Sequence, residues 1–508
     1  MRFMETKLPP LIDALLEPHR YPNAVQQVEL VQTHISWVLL AGEFAYKIKK
    51  PLKLPFLDFS TLAQRHAACL DELRLNRRFA PDIYLDVTNI VGTPQNPRFD
   101  GQDTPIEYAV RMRRFEEAGR LDRVCARGEL QPGHLSNLAD TLAGFHENAA
   151  VAPAESRFGL PEKIAKPALD NFHDLALLLP YPGMQVRLNA VRAWTEAQLA
   201  QLAPLMQARK LAGRVRECHG DLHLANLVLI DQRVRMFDCI EFNEDLRWID
   251  VASEVAFTYM DLLAHEKPGL ANWFVNEVWS RSGDYEAARL LRFYAVYRAM
   301  VRAKVMAIQR TQTQKDNSKA LAYIALAEDL MTPACVWLVI THGLSGCGKT
   351  VASSQLLQSD TRASTLRLRS DVERKRLVGL TSTERSGSPI NSGLYAPKAR
   401  VRTYIRLHEL ADFLLRAGWS VIVDAAFLKH AERDEFRALA KDIGVAFGIL
   451  APQATPAQLQ ERIEARNALG RDASDATLDV LAQQMQTLEP LDAKEMKFVS
   501  STAHRTCD

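Results

Sequence analysis

The sequence predicts two domains of different fold class: an N-terminal α+β domain of two lobes over residues 1–331, and a C-terminal α/β domain with a parallel sheet over residues 335–508. Three observations predict this division. A chain of 508 residues is too long for one hydrophobic core. Strand patterns followed by helical patterns fill the first part, whereas strand and helix patterns alternate after residue 335. Thr332 and Pro333 separate the two patterns.

The first domain is expected to begin with a small sheet. Residues 35–40 and 43–48 have the pattern of two strands joined by a turn at Ala41 and Gly42. Residues 62–79 have helical apolar spacing, and residues 83–91 and 106–112 are predicted as further strands. Residues 135–212 are mostly helical in pattern, short strands surround a polar loop at 215–240, and helices continue to about residue 331. The pattern therefore predicts a sheet lobe followed by a helical lobe.

The second domain is expected to be a parallel sheet with helices between its strands. Residues 336–340 form an apolar strand that leads directly into a glycine-rich loop. Residues 366–368, 420–423 and 445–451 are predicted as the other strands. Strands that alternate with helices in this way are typical of a parallel α/β sheet.

Composition narrows the class of protein. An apolar fraction of 47% and a charged fraction of 24% are ordinary for a globular chain. The formal net charge of +2 gives no overall electrostatic attraction to nucleic acid or membrane. The seven cysteines are scattered without a CxxC pair, which is typical of reduced thiols. Since there is also no signal-peptide pattern and no long apolar stretch, we expect a cytoplasmic protein with no membrane partner.

The glycine-rich loop has the pattern G-x-x-x-x-G-K-[ST]. A strand before such a loop and a helix after it allow backbone N–H groups to surround phosphates at the helix N-terminus. The lysine is expected to reach the β- and γ-phosphates of ATP and to act in catalysis, and the threonine hydroxyl is expected to ligate Mg²⁺. The motif consists of Gly343, Leu344, Ser345, Gly346, Cys347, Gly348, Lys349 and Thr350.

The strands that follow this loop end in carboxylates. Asp371 comes just after residues 366–368, where it could accept the proton of an acceptor hydroxyl, while Arg369 or Arg374 could hold an anionic group. A helix cap with a solvated arginine face is the alternative. Asp424 ends the strand at 420–423 and is predicted to join the Mg²⁺ shell, although a strand-end aspartate can also be a cap.

Two arginines, Arg462 and Arg466, lie four residues apart on one predicted helix. That spacing would suit a lid that clamps the phosphates of ATP. Salt bridging on an exposed helix face is the alternative.

The second half resembles the P-loop kinases that include gluconate kinase, chloramphenicol phosphotransferase, polynucleotide kinase and zeta-type toxins. The resemblance covers about 336–495 and rests on GLSGCGKT, LRSDVERKRL, AGWSVIVDAAF and the arginine pair at 462 and 466. It implies transfer of a phosphoryl group from ATP to a hydroxyl. A small-molecule acceptor is expected; a nucleic-acid end is an open alternative, although the basic cluster is confined to 369–376.

A second constellation lies in the first half, in the segment His219-Gly220-Asp221-Leu222-His223-Leu224-Ala225-Asn226. It has the spacing of the catalytic loop H-R-D-L-x-x-x-N, in which an aspartate orients the acceptor hydroxyl. Asp221 would take that role. Asn226 and the later Asp238 would hold the metal ions that bridge the ATP phosphates.

Upstream residues match the other parts of such a site. Lys47 is predicted to bind the ATP phosphates, and Lys49 has the same facing on a strand and is an open alternative. Glu72 is predicted as the ion-pair partner of the lysine, with Asp71 as the competitor. No glycine-rich loop precedes Lys47, so hydroxyls and backbone amides of residues 32–36 would have to cover the phosphates.

This half resembles the aminoglycoside and choline phosphotransferase branch of the protein-kinase-like fold over roughly 28–300. The carrying features are H-G-D-x-x-x-x-N and a later D-x-x-E, with Gly220 where protein kinases have arginine. The whole chain resembles bacterial fusions of such a domain with a P-loop kinase. The resemblance implies two ATP- and Mg²⁺-dependent sites acting on sugar, amino-sugar or antibiotic-like hydroxyls. A regulatory pseudokinase in the first half is the alternative.

The acidic run after Asp238 has two interpretations. Six carboxylates occur between residues 241 and 261, and they could face a cationic acceptor. Ordinary helix-face charge, with a structural pair between Asp250 and Arg247, is the interpretation we favour.

Overall fold

A computed structural model of the chain describes residues 8–54, 57–313, 316–381, 384, 397–469 and 477–499, with only the backbone at 310–313, 397 and 466–469. It forms two compact units. The first consists of Met1–Leu130, Ala149–Ile164 and Ala203–Phe257. The second consists of Gln131–Asn148, Ala165–Leu202 and Thr258–Asp508. The grouping reflects packing alone, and the sequence boundary near 332–335 stays a prediction.

The strands and helices are numbered along the chain. The strands are β1 Val28–Gln32, β2 Ser36–Ala41, β3 Phe44–Lys49, β4 Lys53–Leu54, β5 Leu57–Asp58, β6 Tyr84–Thr93, β7 Asn96–Phe99, β8 Pro105–Arg113, β9 Val215–Glu217, β10 Leu227–Ile230, β11 Arg233–Met236, β12 Trp248–Asp250, β13 Trp337–Thr341, β14 Thr365–Arg369, β15 Ser420–Asp424 and β16 Ala446–Leu450. The helices are α1 Pro10–Ala14, α2 Leu62–Asn76, α3 Leu121–Ala126, α4 Pro132–Asn148, α5 Pro161–Leu178, α6 Met184–Leu211, α7 Glu244–Arg247, α8 Val251–Ala264, α9 Pro268–Ser282, α10 Ala288–Thr313, α11 Ser318–Met331, α12 Lys349–Ser359, α13 Ser370–Arg376, α14 Pro397–Arg416, α15 His430–Ile443, α16 Pro456–Leu469 and α17 Leu478–Thr487.

The first unit is built on a six-stranded antiparallel sheet with the order β1-β2-β3-β8-β6-β7. Alternation along the strands gives the sheet two apolar faces. One face packs Tyr46 and Ile48 of β3 with Ile12 of α1, and the other packs Ala45 with Cys69 of α2. The predicted strand pair and the predicted helix are therefore present as β2, β3 and α2. A Thr61–Gln64 capping box begins α2.

The second unit contains a four-stranded parallel sheet with the order β14-β15-β13-β16. The carboxyl ends of β13, β14 and β15 meet at one edge, where ligands bind in open α/β sheets. Helices α4, α9, α10 and α11 belong to this unit as well. The predicted fold class, α+β first and parallel α/β second, is confirmed.

Two further observations concern the described residues alone. The six cysteines among them are free of disulfides, as expected for reduced thiols. None of the described helices is both long enough and apolar enough to cross a membrane.

Candidate functional sites

Gly220 brings the loop that carries Asp221 close to the neighbouring backbone. Its φ is +87°, and a Cβ at this position would lie 2.6 Å from the carbonyl oxygen of Leu246. A residue with a side chain would be strained by this φ and would clash with that carbonyl. The glycine in the H-G-D motif is therefore required by the local packing.

His219 holds the same loop from behind. It is fully buried, and its backbone N–H donates to Oε1 of Glu254 over 2.6 Å. Its Nε2 donates to the carbonyl oxygen of Phe237 at 2.8 Å, and its Nδ1 accepts from the N–H of Asp221 at 3.3 Å. Burial lowers the pKa of His219, which favours the neutral ring that these two bonds require. The ring thus links the Asp221 loop to the residue before Asp238.

Lys47 joins two carboxylates. Its Nζ donates to Oε1 of Glu72 at 2.7 Å and to Oδ1 of Asp238 at 2.5 Å. Glu72 is fully buried, whereas the Asp71 side chain is half-exposed and pairs with Arg74. Burial disfavours the charge on Lys47, but Asp238 and Glu72 outweigh it and raise the pKa of Lys47 well above its ordinary value. The geometry thus brings the predicted lysine, its partner and a predicted metal ligand together.

Lys49, the open alternative, is buried in the same network. Its Nζ donates to Oε2 of Glu72 and to Oε1 of Glu241, and its side chain has no exposed surface. Burial opposes its charge, while Glu241 and Glu72 outweigh burial and raise the pKa of Lys49. A fully enclosed ammonium is a poor partner for a substrate phosphate, so the geometry favours Lys47 for that role. Sequence reasoning missed the position of Glu241 because only the fold brings it to β3.

Asp221 and Asn226 lie side by side. Nδ2 of Asn226 donates to both Oδ2 and the carbonyl oxygen of Asp221, each at 2.9 Å. Because the amide nitrogen is directed to Asp221, the remaining Oδ1 of Asn226 is the atom suited to a metal. Asp238 has φ +63°, a conformation rare outside glycine that clusters at functional sites. Amide and carboxylate oxygens are ligands that Mg²⁺ prefers, so Asn226 and Asp238 fit this ion; their roles stay predictions.

Each of the six carboxylates after Asp238 forms an ion pair or a hydrogen bond with another residue of the chain. The partner residues are Lys49 for Glu241, Arg247 for Glu244, Arg157 for Asp245, Arg209 for Asp250, His219 for Glu254 and Tyr323 for Asp261. The expected pair between Asp250 and Arg247 is wrong. Asp250 instead binds Arg209 through two hydrogen bonds of 2.8 and 2.9 Å, because the buried end of α6 places that guanidinium against β12. These contacts give no support to a cationic acceptor.

In the second unit the glycine-rich loop joins β13 to α12, which begins at Lys349. The loop lines a cavity of about 940 Å³, within the range of small-molecule sites. Nζ of Lys349 donates to the carbonyl oxygens of Gly343 and Leu344 at 2.8 and 2.7 Å. A phosphate that binds in the loop would therefore replace these two carbonyl oxygens as the hydrogen-bond partner of Lys349.

Asp371 also lines this cavity, from the first turn of α13. Its Oδ1 is 3.0 Å from Nη1 of Arg374. The N-cap position of α13 belongs to Arg369 and has no side-chain cap bond, so the geometry does not favour the capping alternative for Asp371. Sequence reasoning missed Tyr404 and the pair Arg400–Glu432, which also line the cavity.

Thr350 and Asp424 line the same cavity. Asp424 is buried, and its Oδ2 accepts from the hydroxyl of Ser353 at 3.0 Å. A hydroxyl and a carboxylate facing one phosphate loop are the oxygen donors that Mg²⁺ needs when most of its ligands are water and phosphate. These residues therefore fit the ion predicted for them.

Helices α16 and α17 close the loop side of the cavity. Nη1 of Arg462 donates to the carbonyl oxygen of Gly346 at 3.2 Å, so this arginine lies at the loop. The side chain of Arg466 lies outside the described residues. The N–H of Ser345 donates to Oε1 of Gln484 at 2.8 Å, and no motif indicated that glutamine.

Comparison with known families supports the P-loop prediction. Residues 338–491 match the AAA_33 family, described as an AAA domain. The match lies within the 336–495 segment in which the sequence predicted a P-loop domain.

Whole-chain and structural comparisons add further similarities. The chain is 30% identical to the Mycobacterium tuberculosis protein Rv2004c over 468 residues, which is 90% of this chain and 89% of that one. A choline/ethanolamine kinase family protein from Mesorhizobium loti has a TM-score of 0.40 and 12% identity, over 63% of this chain and 93% of that chain. An aminoglycoside phosphotransferase from Alicyclobacillus acidocaldarius has a TM-score of 0.36 and 17% identity, over 65% and 99%.

Proposed function

This chain belongs to the same protein family as Rv2004c of Mycobacterium tuberculosis, and from that premise we propose that it is a bifunctional phosphotransferase that uses ATP and Mg²⁺, with one site in each unit. The family relationship spans 90% of the chain and therefore both sites. The observation that carries the proposal is the single cavity that Lys349, Thr350 and Asp371 line together.

The P-loop site supplies the groups that phosphoryl transfer needs. The loop amides and Lys349 bind the β- and γ-phosphates of ATP, and bound Mg²⁺ neutralises charge on those phosphates. Asp371 accepts the proton of the acceptor hydroxyl as its oxygen forms a bond to the γ-phosphorus. The bond from the γ-phosphorus to the bridging oxygen breaks, and ADP leaves with that electron pair.

The site of the first unit has the same division of labour with different residues. Lys47, held by Glu72, binds the ATP phosphates, and Asn226 with Asp238 holds Mg²⁺. Asp221 orients the acceptor hydroxyl. The direct contact of Lys47 with Asp238 occupies groups that would bind phosphate and Mg²⁺, so this contact would have to loosen when they bind.

The acceptors of both sites are proposed to be hydroxyls of small molecules, of the sugar, amino-sugar or antibiotic-like class. The cavity of the second unit, about 940 Å³, supports a small acceptor there. Two of the cations that line it, Arg374 and Arg400, are paired with Asp371 and Glu432, which leaves them less available to a polyanion such as a nucleic-acid end.

The experiment is transfer of labelled phosphate from ATP to a pool of cell metabolites by the whole chain and two variants. Asp221→Asn should remove one set of labelled products and Lys349→Ala should remove another. Loss of all products in Lys349→Ala alone, with none lost in Asp221→Asn, would show instead that the first unit is a regulatory pseudokinase. Labelling of a 5′-hydroxyl oligonucleotide at a rate equal to that of the metabolites would favour the nucleic-acid alternative.

A further inference from the structure

Helix α9 lies along β14, which is the edge strand of the P-loop sheet. Edge strands expose backbone N–H groups that must find partners. The N–H of Thr365 donates to Oδ1 of Asn272 at 3.2 Å, and the N–H of Arg367 donates to Oδ1 of Asn276 at 2.7 Å. Both asparagines are buried. Two side chains of one helix therefore replace the strand that the sheet lacks at this edge.

The residue spacings of helix α9 and strand β14 explain why both hydrogen bonds can form. Residues four apart on a helix are separated by about 6 Å along its axis, and residues two apart on a strand by about 6.6 Å. Asn272 and Asn276 are four apart, and the N–H groups of Thr365 and Arg367 are two apart on the same side of β14. The spacing of the two asparagines on α9 therefore matches the spacing of the two N–H groups on β14.

Helix α9 also contacts the helix that follows the P-loop. Nδ2 of Asn272 donates to the carbonyl oxygen of Leu357 in α12 at 2.8 Å. A Cβ on Gly269 would lie 2.1 Å from the carbonyl oxygen of Gln358, so only glycine allows this approach. Helix α9 therefore contacts both α12 and β14 and helps to fix the positions of both.

The side chain of Arg367 connects Asn276 with Thr350 and Asp424, the two residues proposed to bind Mg²⁺. Its Nη1 donates to Oγ of Ser354 at 2.6 Å, to Oγ of Ser353 at 3.3 Å and to the carbonyl oxygen of Thr350 at 3.4 Å. The Ser353 hydroxyl in turn donates to Asp424 at 3.0 Å. The backbone of Arg367 is thus held at α9, while its side chain contacts the backbone of Thr350 directly and is linked to Asp424 through Ser353.

We propose that Asn276 is a positioning residue for the Mg²⁺ site of the P-loop, acting through Arg367 on Thr350 and on Asp424. This inference rests on the proposed P-loop function. It assigns to a helix before residue 331 a role in a site whose motifs all lie after residue 335. Partners in the outer shell of a metal site commonly change metal affinity by about 10–100-fold when they are removed.

The test measures binding of a non-hydrolysable ATP analogue to the whole chain, with Mg²⁺ and with EDTA. The P-loop contribution is the difference from Lys349→Ala. Asn276→Leu should weaken the apparent Mg²⁺ affinity about tenfold and change binding in EDTA less than twofold. Asn276→Asp retains the Oδ acceptor for the N–H of Arg367 and should restore the Mg²⁺ effect. A positioning role requires both results.

Two further variants separate positioning from loss of stability. Ile324→Val alters a fully buried side chain of α11 and should lower the melting temperature without changing the Mg²⁺ dependence. Arg367→Lys keeps the backbone contact with Asn276 and removes the fork to Ser353 and Ser354, so it should reproduce the Mg²⁺ defect even if Asn276→Leu does not fold.

Wild-type Mg²⁺ dependence in Arg367→Lys, or an equal defect in Ile324→Val, would overturn the inference. A wild-type chain whose binding is unaffected by Lys349→Ala would instead refute the proposed P-loop function.

Discussion

Replacing Glu72 with glutamine should destabilise the first unit far more than replacing its neighbour Asp71 with asparagine. Both changes remove one negative charge from α2 and keep the shape of the side chain. Glu72 is fully buried and binds Lys47 and Lys49, whereas the Asp71 side chain is half-exposed and binds Arg74 at the surface. The pair of variants therefore separates an enclosed ion network from a solvated ion pair.

The expected loss of stability in Glu72→Gln depends on the carboxylate partners that Lys47 and Lys49 retain. Removing one partner of a buried ion pair costs about 3–5 kcal/mol. Lys47 keeps Asp238 and Lys49 keeps Glu241, so we expect the lower end, about 3 kcal/mol. An exposed pair such as Asp71–Arg74 contributes about 0.5 kcal/mol. For a unit of this size, 3 kcal/mol corresponds to a fall in melting temperature of about 6–12 °C.

Differential scanning calorimetry of the whole chain at pH 7 is the assay. At this pH Glu72 is ionised in the folded protein: burial would raise its pKa, but the charges of Lys47 and Lys49 outweigh burial and lower it. The melting temperature of one thermal transition should fall in Glu72→Gln and should stay within about 2 °C of the wild-type value in Asp71→Asn. Equal shifts in the two variants would refute the assignment of Glu72 to a buried network with both lysines.

Three other predictions concern single side chains. Burial lowers the pKa of His219, so as the pH falls this ring is protonated in the unfolded chain before it is protonated in the folded chain. The free energy of unfolding should therefore decrease below about pH 6.5, by at most about 1.4 kcal/mol per pH unit. Urea unfolding at pH 7.5 and 5.5 should show a smaller loss of stability in His219→Gln than in the wild type, and an equal loss would contradict this. Gln484→Ala frees the N–H of Ser345 for phosphate and should tighten Mg·ATP binding about two- to tenfold. Calorimetric titration measures this change, and Gln486→Ala, at an exposed position of the same helix, is the control. Weaker binding in Gln484→Ala would mean that Gln484 contacts the nucleotide. Asp371→Asn should slow transfer to the acceptor of the P-loop site by about 10²–10⁴-fold with ATP affinity unchanged, and a wild-type rate would move the role of base to Asp424.

Local sequence patterns were sufficient to predict the elements whose structure depends mainly on residues close in sequence. The alternation of β2 and β3, the spacing of α2 and the glycine-rich loop are each determined by neighbours along the chain, so they could be read directly. The motif residues Asp221 and Asn226 lie together for the same reason, since five positions of one loop separate them.

Contacts between distant segments had no such signal. Asn272 and Asn276 belong to a helical pattern, and nothing in that pattern indicates an edge strand about ninety residues later. The partner of Asp250 was expected three residues away and lies instead on α6, because a buried carboxylate takes the guanidinium that the fold encloses with it.

Binding stoichiometry tests most directly whether the chain holds two nucleotide sites. Isothermal titration of the whole chain with a non-hydrolysable ATP analogue and Mg²⁺ requires no knowledge of the acceptors. We predict two molecules per chain for the wild type, one for Lys349→Ala, and one for Lys47→Ala. A stoichiometry of one that is abolished by Lys349→Ala and unchanged by Lys47→Ala would contradict a nucleotide site in the first unit.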